Sequence, residues 1–317
     1  MQSISRRSFV ISAAAAGAVF GLDGPLEFIG PAFAQKPDPK LLEKGVVRFK
    51  VGDIEVIQMF DGYWEKAHDA GFIKNASIDE TKAALKAGGQ TDEFVPISFT
   101  VTAVKIKDRL VLFDAGTGGQ VSPKAGLVAS NNMKAAGIDP AKVTTIVMTH
   151  FHADHISGLM AKDTNAPIFP NAEIIVPAGE YKYWTNPANA GGKRIQAVFP
   201  TWKNIKQFDG EKDVTPGVRA INTNGHTPGH TSYQVSSGRN QMIVLGDVSN
   251  IPSLFVKHPE WRAVFDVDGE LAEKNRRKIY DRVVASGTTI TGYHFGLPGA
   301  GKIKKDGKGY AFVPVKA

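Results

Sequence analysis

Alternation of apolar and polar positions predicts β-hairpins early in the chain. Val46–Val51 and Ile54–Phe60 alternate and are joined by a short Gly-Asp link, which is typical of a hairpin. Ile97–Ile106 and Leu110–Phe113 repeat this pattern. Further short apolar runs, several rich in β-branched residues, predict strands at Val143–Thr149, Glu173–Val176, Val218–Thr223, Ser232–Val235, Met242–Leu245, Thr288–Thr291 and Tyr310–Val313.

Helical spacing appears between these strands. Ser77 and Glu80 form a capping-box pattern that begins a helix ending at Gly88. Leu127–Ala136 and Asp268–Ser286 predict two more helices, each followed by a glycine. Early hairpins followed by alternating strands and helices predict an α/β fold in which two packed sheets lie between outer helices, an αββα four-layer sandwich.

The first 34 residues follow a different pattern. Arg6 and Arg7 precede the apolar run Ile11–Leu22, and the segment closes on Ala32-Phe33-Ala34. This predicts a cleavable twin-arginine-type signal peptide, use of the twin-arginine export machinery, and a periplasmic or secreted protein exported already folded. An uncleaved N-terminal membrane anchor is the alternative. Residues 35–317 are then expected to form a single domain.

Composition narrows the chemistry of any active site. The 317 residues include no cysteine, which excludes disulfides, zinc ribbons, thiol catalysis and iron–sulfur clusters. A metal ion would have to be bound by His, Asp or Glu. The net charge of +7 is spread along the chain, so no nucleic-acid partner is expected.

One segment concentrates the candidate ligands. His150, His152, Asp154 and His155 lie within six residues, although the chain has only eight histidines. Side chains two apart on an extended segment point the same way, so His150 and His152 face one volume. If a helix starts there, Asp154 and His155 project from its first turn. Three imidazoles and a carboxylate suit zinc, manganese, iron or cobalt.

Three later segments repeat a simpler arrangement, in which a predicted strand ends, a glycine follows, and a candidate ligand comes next. The ligands are His226 in Gly225-His226-Thr227-Pro228-Gly229-His230, Asp247 after Gly246, and His294 after Gly292. Strand ends are where α/β sheets build their sites. We expect His230, four residues after His226, to order the loop rather than bind metal.

Together with Asp114-Ala115-Gly116, these motifs resemble the metallo-β-lactamase superfamily and occur in its order. The resemblance implies the metallo-β-lactamase fold and a centre of two divalent transition-metal ions. Zn²⁺ is the expected ion, with Mn²⁺, Co²⁺ or Fe as alternatives. It implies that His150, His152 and His226 bind one ion, that Asp154, His155 and His294 bind the other, and that Asp247 bridges both. The attacking group would be a hydroxide between the ions.

The resemblance also suggests a branch and a reaction. The nearest match is the branch of methyl parathion hydrolase, which implies hydrolysis of ester, lactone or phosphotriester bonds. N-acyl-homoserine lactonases or other quorum-quenching lactonases are the main alternative, although many carry a tyrosine where this chain has Asn250. An iron-dependent persulfide or sulfur oxidoreductase is an alternative from another class.

Catalytic roles and a pocket complete the prediction. Asp247 is expected to accept the proton of the attacking water, and Asp154 to return one to the leaving group. The candidate pocket residues are mainly aromatic: Trp184, Asn250, Phe255, Trp261 and Phe265. They predict a small, apolar, neutral substrate. A homodimer is left open.

Overall fold

Two seven-stranded sheets form the centre of the protein, in a computed structural model that describes residues 45–316. The predicted signal of residues 1–34 lies outside the described residues. In spatial order, the strands of the first sheet are β1 (Val46–Val51), β2 (Ile54–Lys66), β3 (Val95–Ile106), β4 (Arg109–Phe113), β5 (Thr145–Val147), β6 (Glu173–Pro177) and β7 (Ile205–Phe208). Strands β1 to β4 pair antiparallel, and β5, β6 and β7 each add in parallel.

The second sheet runs through the later half of the chain. In spatial order, its strands are β14 (Gly309–Pro314), β13 (Ala300–Asp306), β12 (Thr289–Thr291), β11 (Asn240–Val244), β10 (Thr231–Ser237), β9 (Val218–Asn222) and β8 (Asp213–Thr215). Only β11 and β12 pair in parallel within this sheet, and the other neighbours are antiparallel.

The helices are short except for the first and the last. They are α1 (Ile78–Ala87), α2 (Met133–Ala135), α3 (Ala153–Ile156), α4 (Ala178–Thr185), α5 (Lys193–Val198) and α6 (Gly269–Ser286). The capping box predicted at Ser77 and Glu80 is confirmed, and α6 begins at its N-cap Asp268 and ends at left-handed Gly287, as predicted. Within residues 45–316, none of these helices combines the length and the apolar character that crossing a bilayer requires.

Strict alternation along the strands sorts their side chains into separate cores. On β2, Val56 faces the second sheet, whereas Ile57 faces the helices that cover the first sheet. On β11, Val244 enters the core between the sheets, whereas Ile243 packs with Ile279 of α6. The helix–sheet–sheet–helix arrangement of the predicted four-layer sandwich is confirmed.

Several predicted elements differ from those observed. The helix expected at Leu127–Ala136 is observed as the π-helical turn Val128–Asn132 continued by α2, and buried Asp61 accepts the amide hydrogen of Val128 at its start. Helices α4 and α5 were missed because polar side chains interrupt their apolar periodicity. Strands β7, β8 and β13 were missed because half or more of their residues are at least partly exposed, which hides the alternation.

Candidate metal centre

The carboxyl ends of five strands meet at one edge of the sandwich. The chain leaves β5 toward His150 and α3, leaves β9 toward His226, leaves β11 toward Asp247 and leaves β12 toward His294. Asp114 follows β4 directly in the left-handed conformation, with φ of 60°. The fold therefore brings together residues that are up to 180 positions apart, from Asp114 to His294.

Three histidines form the first ligand group. The Nδ1 atom of His152 lies 3.0 Å from Nε2 of His150 and 2.9 Å from Nε2 of His226. Burial lowers the pKa of His150 and of His152 well below the usual histidine range, so both rings are neutral. Three imidazoles with nitrogens converging on one point are a typical half-site for a transition metal.

Asp154, His155 and His294 form the second ligand group. The Oδ2 atom of Asp154 lies 3.5 Å from Nε2 of His155 and 3.5 Å from Nε2 of His294. Asp154 and His155 project from the first turn of α3, as the sequence predicted, and His152 is the N-cap of that helix. This group mixes a carboxylate with imidazoles, so it carries more negative charge than the first.

Asp247 lies between the two groups. Its Oδ2 is 2.9 Å from Nε2 of His294 and 3.5 Å from Nε2 of His226, and its Oδ1 is 3.3 Å from Nε2 of His155. Gly246, with φ of 58°, turns the chain at the end of β11 so that the Asp247 carboxylate points inward. One carboxylate thus reaches both ligand groups, which is the arrangement that a bridging ligand needs.

The donor set fits two divalent cations. His155 Nε2 and Asp247 Oδ1 are buried polar atoms without a hydrogen-bond partner, which is costly unless another group satisfies them. Burial opposes a charge on His155, but Asp247, Asp154 and Asp114 raise its pKa well above the usual range. The same carboxylates would stabilise a metal cation in place of that proton.

Hydrogen bonds behind the ligands orient four of the five rings. The Nδ1 atoms of His150, His155, His226 and His294 each face an oxygen acceptor, which leaves Nε2 free to bind metal. The acceptors are Thr149 Oγ1 at 3.0 Å, Asp114 Oδ2 at 2.8 Å, Asp266 Oδ1 at 2.8 Å and the Ser98 carbonyl oxygen at 2.7 Å, in the same order. His152 is the exception, because its Nδ1 faces the other ligands.

The sequence profile of the metallo-beta-lactamase superfamily matches residues 99–286. This chain belongs to that superfamily. The match includes every candidate ligand except His294.

Curated relatives of the superfamily match part of the chain. An N-acyl homoserine lactonase from Bacillus sp is 31% identical over 129 residues, which are 40% of this chain and 47% of that protein. The N-acyl homoserine lactonase AttM of Agrobacterium fabrum is 34% identical over 125 residues, 36% of this chain and 44% of that protein. The chain thus matches less than half the length of these relatives.

Solved superfamily structures match nearly throughout. AidC, a dizinc quorum-quenching lactonase solved with a product, has a TM-score of 0.79 and 25% identity, covering 86% of this chain and 98% of that one. The hydrolase AbOPH has the same TM-score and coverage with 28% identity. None of these four proteins is methyl parathion hydrolase, so the assignment of this chain to the branch of that enzyme stays a prediction.

His230 occupies the position expected of a loop-ordering residue. Its Nε2 accepts the amide hydrogen of Asp247 at 2.8 Å, and its Nδ1 contacts Thr223 at 2.9 Å. Burial lowers the pKa of His230 to about 3, so the ring stays neutral and keeps a lone pair for the Asp247 amide. His230 therefore supports the bridging carboxylate from behind.

The predicted pocket residues fall into two sets. Trp184 is half-buried and meets the His152 ring edge-on, with ring centroids 5.6 Å apart. Phe265 is also half-buried and packs against Phe72 and Trp64. Asn250 is half-buried, and its Oδ1 accepts the amide hydrogen of Ile251. These three remain candidates for contact with substrate.

The other two pocket residues belong to the core. Phe255 is 1% exposed and Trp261 is 7% exposed, so the prediction that they line an open pocket is wrong. Both pack around buried Arg276, whose guanidinium lies 5.1 Å from the Phe255 ring centroid and donates to the Trp261 carbonyl oxygen at 2.6 Å. The Phe255 ring faces this cation, whereas the Trp261 ring stacks on His258 with ring centroids 4.1 Å apart.

Two buried acids beside the centre were missed from sequence. Asp266 orients His226 and lies 3.5 Å from the Arg276 guanidinium. Glu180 accepts hydrogen bonds from both histidine-bearing loops. Neither stands in a motif, and their partners are distant in sequence. The one signal for Asp266 was its place just before the N-cap of α6.

Proposed function

We propose that this chain is a metal-dependent hydrolase of small, neutral, apolar esters whose leaving groups are stable anions, such as aryl esters and dialkyl aryl phosphotriesters. The main observation behind this proposal is that the phenol hydroxyls of Tyr293 and Tyr280, near the centre, are already hydrogen-bonded. Tyr293 donates its hydroxyl hydrogen to the Asp154 carbonyl oxygen at 2.7 Å, and Tyr280 donates to Ser249. With Asn250 next to Ser249, neither of these two phenols has a free hydroxyl hydrogen with which to protonate a poor leaving group.

The chemistry follows from the ligand set. Two divalent ions held there would activate water and polarise the carbonyl or phosphoryl oxygen of the substrate. Asp247 Oδ1, which lacks a hydrogen-bond partner, would be available to accept the proton of the attacking water. The side chain of Asp154 is 18% exposed, more than Asp247, His155 or His294, so Asp154 faces the opening and can return a proton to the leaving oxygen.

The surroundings of the centre favour an uncharged substrate. Asp154 and Asp247 make ion pairs with histidines, and the nearby Arg276 is buried behind Asp266. The opening is flanked by Trp184 on the His152 side. On the other side lie Phe265 and Val267. The backbone amide of Val267 donates a hydrogen bond to the His226 carbonyl oxygen. An apolar ring fits between such flanks better than a charged group does.

Lactone hydrolysis is the second candidate. The N-acyl homoserine lactonases support it because their sequences are similar to part of this chain. AidC, a lactonase, supports it because its structure resembles this one with a TM-score of 0.79. The position of Asn250 favours the first candidate.

A substrate panel on metal-reconstituted protein separates these candidates. It compares kcat/KM for an aryl ester, a dialkyl aryl phosphotriester, a long-chain acyl-homoserine lactone and a cephalosporin. We expect the aryl ester or phosphotriester to lead. A lactone or cephalosporin ahead by more than about tenfold, or about 1.4 kcal/mol in transition-state binding, would overturn the proposal. Oxygen uptake with a persulfide by iron-loaded protein would instead support the oxidoreductase alternative.

We also propose export through the twin-arginine route, supported by the pattern of residues 1–34. Replacing Arg6 and Arg7 by lysine should leave an unprocessed precursor inside the cell. Normal export of the lysine variant would point to the general secretory route.

A further inference from the structure

A single buried carboxylate connects the two loops that carry the three-histidine group. Glu180 is the third residue of α4 and is 0% exposed. Its Oε1 accepts the amide hydrogen of Phe151 at 2.9 Å, between His150 and His152. Its Oε2 accepts from the Thr227 hydroxyl at 2.7 Å and the Gly229 amide at 3.0 Å, just after His226.

The fourth donor to this carboxylate is an aromatic residue at the opening. The indole nitrogen of Trp184 donates to Glu180 Oε1 at 2.6 Å, one turn along α4. This bond fixes the indole where its ring meets His152 edge-on. Glu180 thereby links the metal ligands to the surface that flanks the opening.

The loops approach α4 so closely that this arrangement has little freedom. A Cβ atom on Gly229 would lie 2.1 Å from the Glu180 amide nitrogen, so only glycine fits there. Residues 151, 180 and 229 come from three different segments of the chain and meet at this point. The four donors are neutral and the acceptor is one carboxylate, so the bonds are charge-assisted.

We propose that Glu180 is a positioning residue that sets the spacing of His150, His152 and His226 and holds Trp184 beside the substrate opening. An amide could not replace it, because the NH₂ group of glutamine would face two donors instead of accepting from them. The role in metal binding is independent of the reaction, whereas the role of Trp184 in substrate contact rests on the proposed function.

The test measures Zn²⁺ binding to metal-free protein by competition with a chromophoric chelator. In Glu180→Gln we expect one of the two ions to bind about 10–100-fold more weakly, the range typical for loss of a partner behind a ligand. The other ion should keep its affinity within about twofold.

Asp61→Asn is the matched control. Asp61 is also a fully buried carboxylate, and it accepts from Thr117 and Val128 rather than from either histidine-bearing loop. We expect this variant to lose thermal stability but to bind both ions normally. Equal weakening of both ions in Glu180→Gln, wild-type affinities in it, or the same pattern in Asp61→Asn would overturn the proposal.

Two milder variants keep the test decisive if Glu180→Gln does not fold. Thr227→Val removes one of the four donors and should weaken the same single ion severalfold; unchanged binding would contradict the proposed role. Trp184→Phe removes the one donor that lies on α4 itself rather than on a histidine-bearing loop, so it should bind both ions normally but raise KM for an aryl ester more than it lowers kcat. If metal binding follows the prediction and KM does not change, the substrate proposal fails and the positioning role stands.

Discussion

The two ligand groups of the centre are built on different supports. The three-histidine group lies on two loops, held from outside by the buried acids Glu180 and Asp266. The group of Asp154, His155 and His294 is packed onto the sheets. There Asp114, directly after β4, and the Ser98 carbonyl oxygen of β3 accept from its rings, and Tyr293 stacks on His155 at 3.9 Å.

This difference separates what each group depends on. The sheet-bound group inherits its geometry from strand pairing, which the whole core maintains. The loop-bound group depends on a few side-chain hydrogen bonds, each of which a single substitution removes. We therefore expect that a substitution can weaken the binding of one ion without weakening that of the other. Which ion is lost first should then show which set of supporting hydrogen bonds was removed.

Removing both ions should have the largest effect. A chelator should abolish hydrolysis and lower the melting temperature, because ligands that bind only the folded state stabilise it. Calorimetry with and without chelator, followed by metal addition, measures this. A maximum content of one ion per chain at full loading would contradict the two-group description.

Asp247→Asn should affect both groups at once. The amide keeps the shape of the shared carboxylate but not its charge. Loss of a hydrogen-bond partner behind a metal ligand typically costs about 10–100-fold, and we expect Asp247→Asn to lower kcat/KM by more than that. Circular dichroism should show an unchanged fold. Near wild-type turnover with both ions bound would mean that Asp247 does not bridge.

Asp266→Asn and Asp114→Asn should each act on one group. Asp266 orients His226 of the loop-bound group. Asp114 orients His155 of the sheet-bound group directly and reaches His150 only through Thr149, so each variant should weaken chiefly a different ion, by about 10–100-fold. Stepwise metal titration distinguishes them, with surface Asp281→Asn as control. The comparison fails if both variants weaken the same ion.

The smallest effect concerns acid stability. His230 keeps a pKa of about 3 in the folded protein, against about 6.5 unfolded, so the unfolded state binds more protons between these values. Its contribution is fully present above pH 6.5 and is lost as the pH falls toward 3, by at most about 1.4 kcal/mol per pH unit. Metal-free His230→Gln should show a shallower decline in urea titrations from pH 6.5 to 4; an identical slope would show that His230 is protonated in the folded state.

Sequence reasoning succeeded where the information is local. The seven candidate ligands, which the structure brings together, could be picked out because each follows a strand end with a glycine or a dense histidine pattern, and α6 could be placed from Asp268 and Gly287. Glu180 and Asp266 could not, because their roles depend on partners up to 49 positions away. The placement of Phe255 and Trp261 in the pocket was wrong for a related reason. Sequence periodicity cannot show that Arg276 is buried next to them.

The centre also joins the two halves of the sandwich. His150 to His155 follow the first sheet, whereas His226, Asp247 and His294 follow the second, so ions bound there would cross-link the sheets in a chain that has no cysteine. His152 and His226 are 74 positions apart, and closing a loop of that length costs about 4 kcal/mol of chain entropy. The chain has no disulfide to offset this cost, so bound metal ions would act as the cross-link between the two sheets. The stability of the contact between the sheets would then depend on the supply of metal.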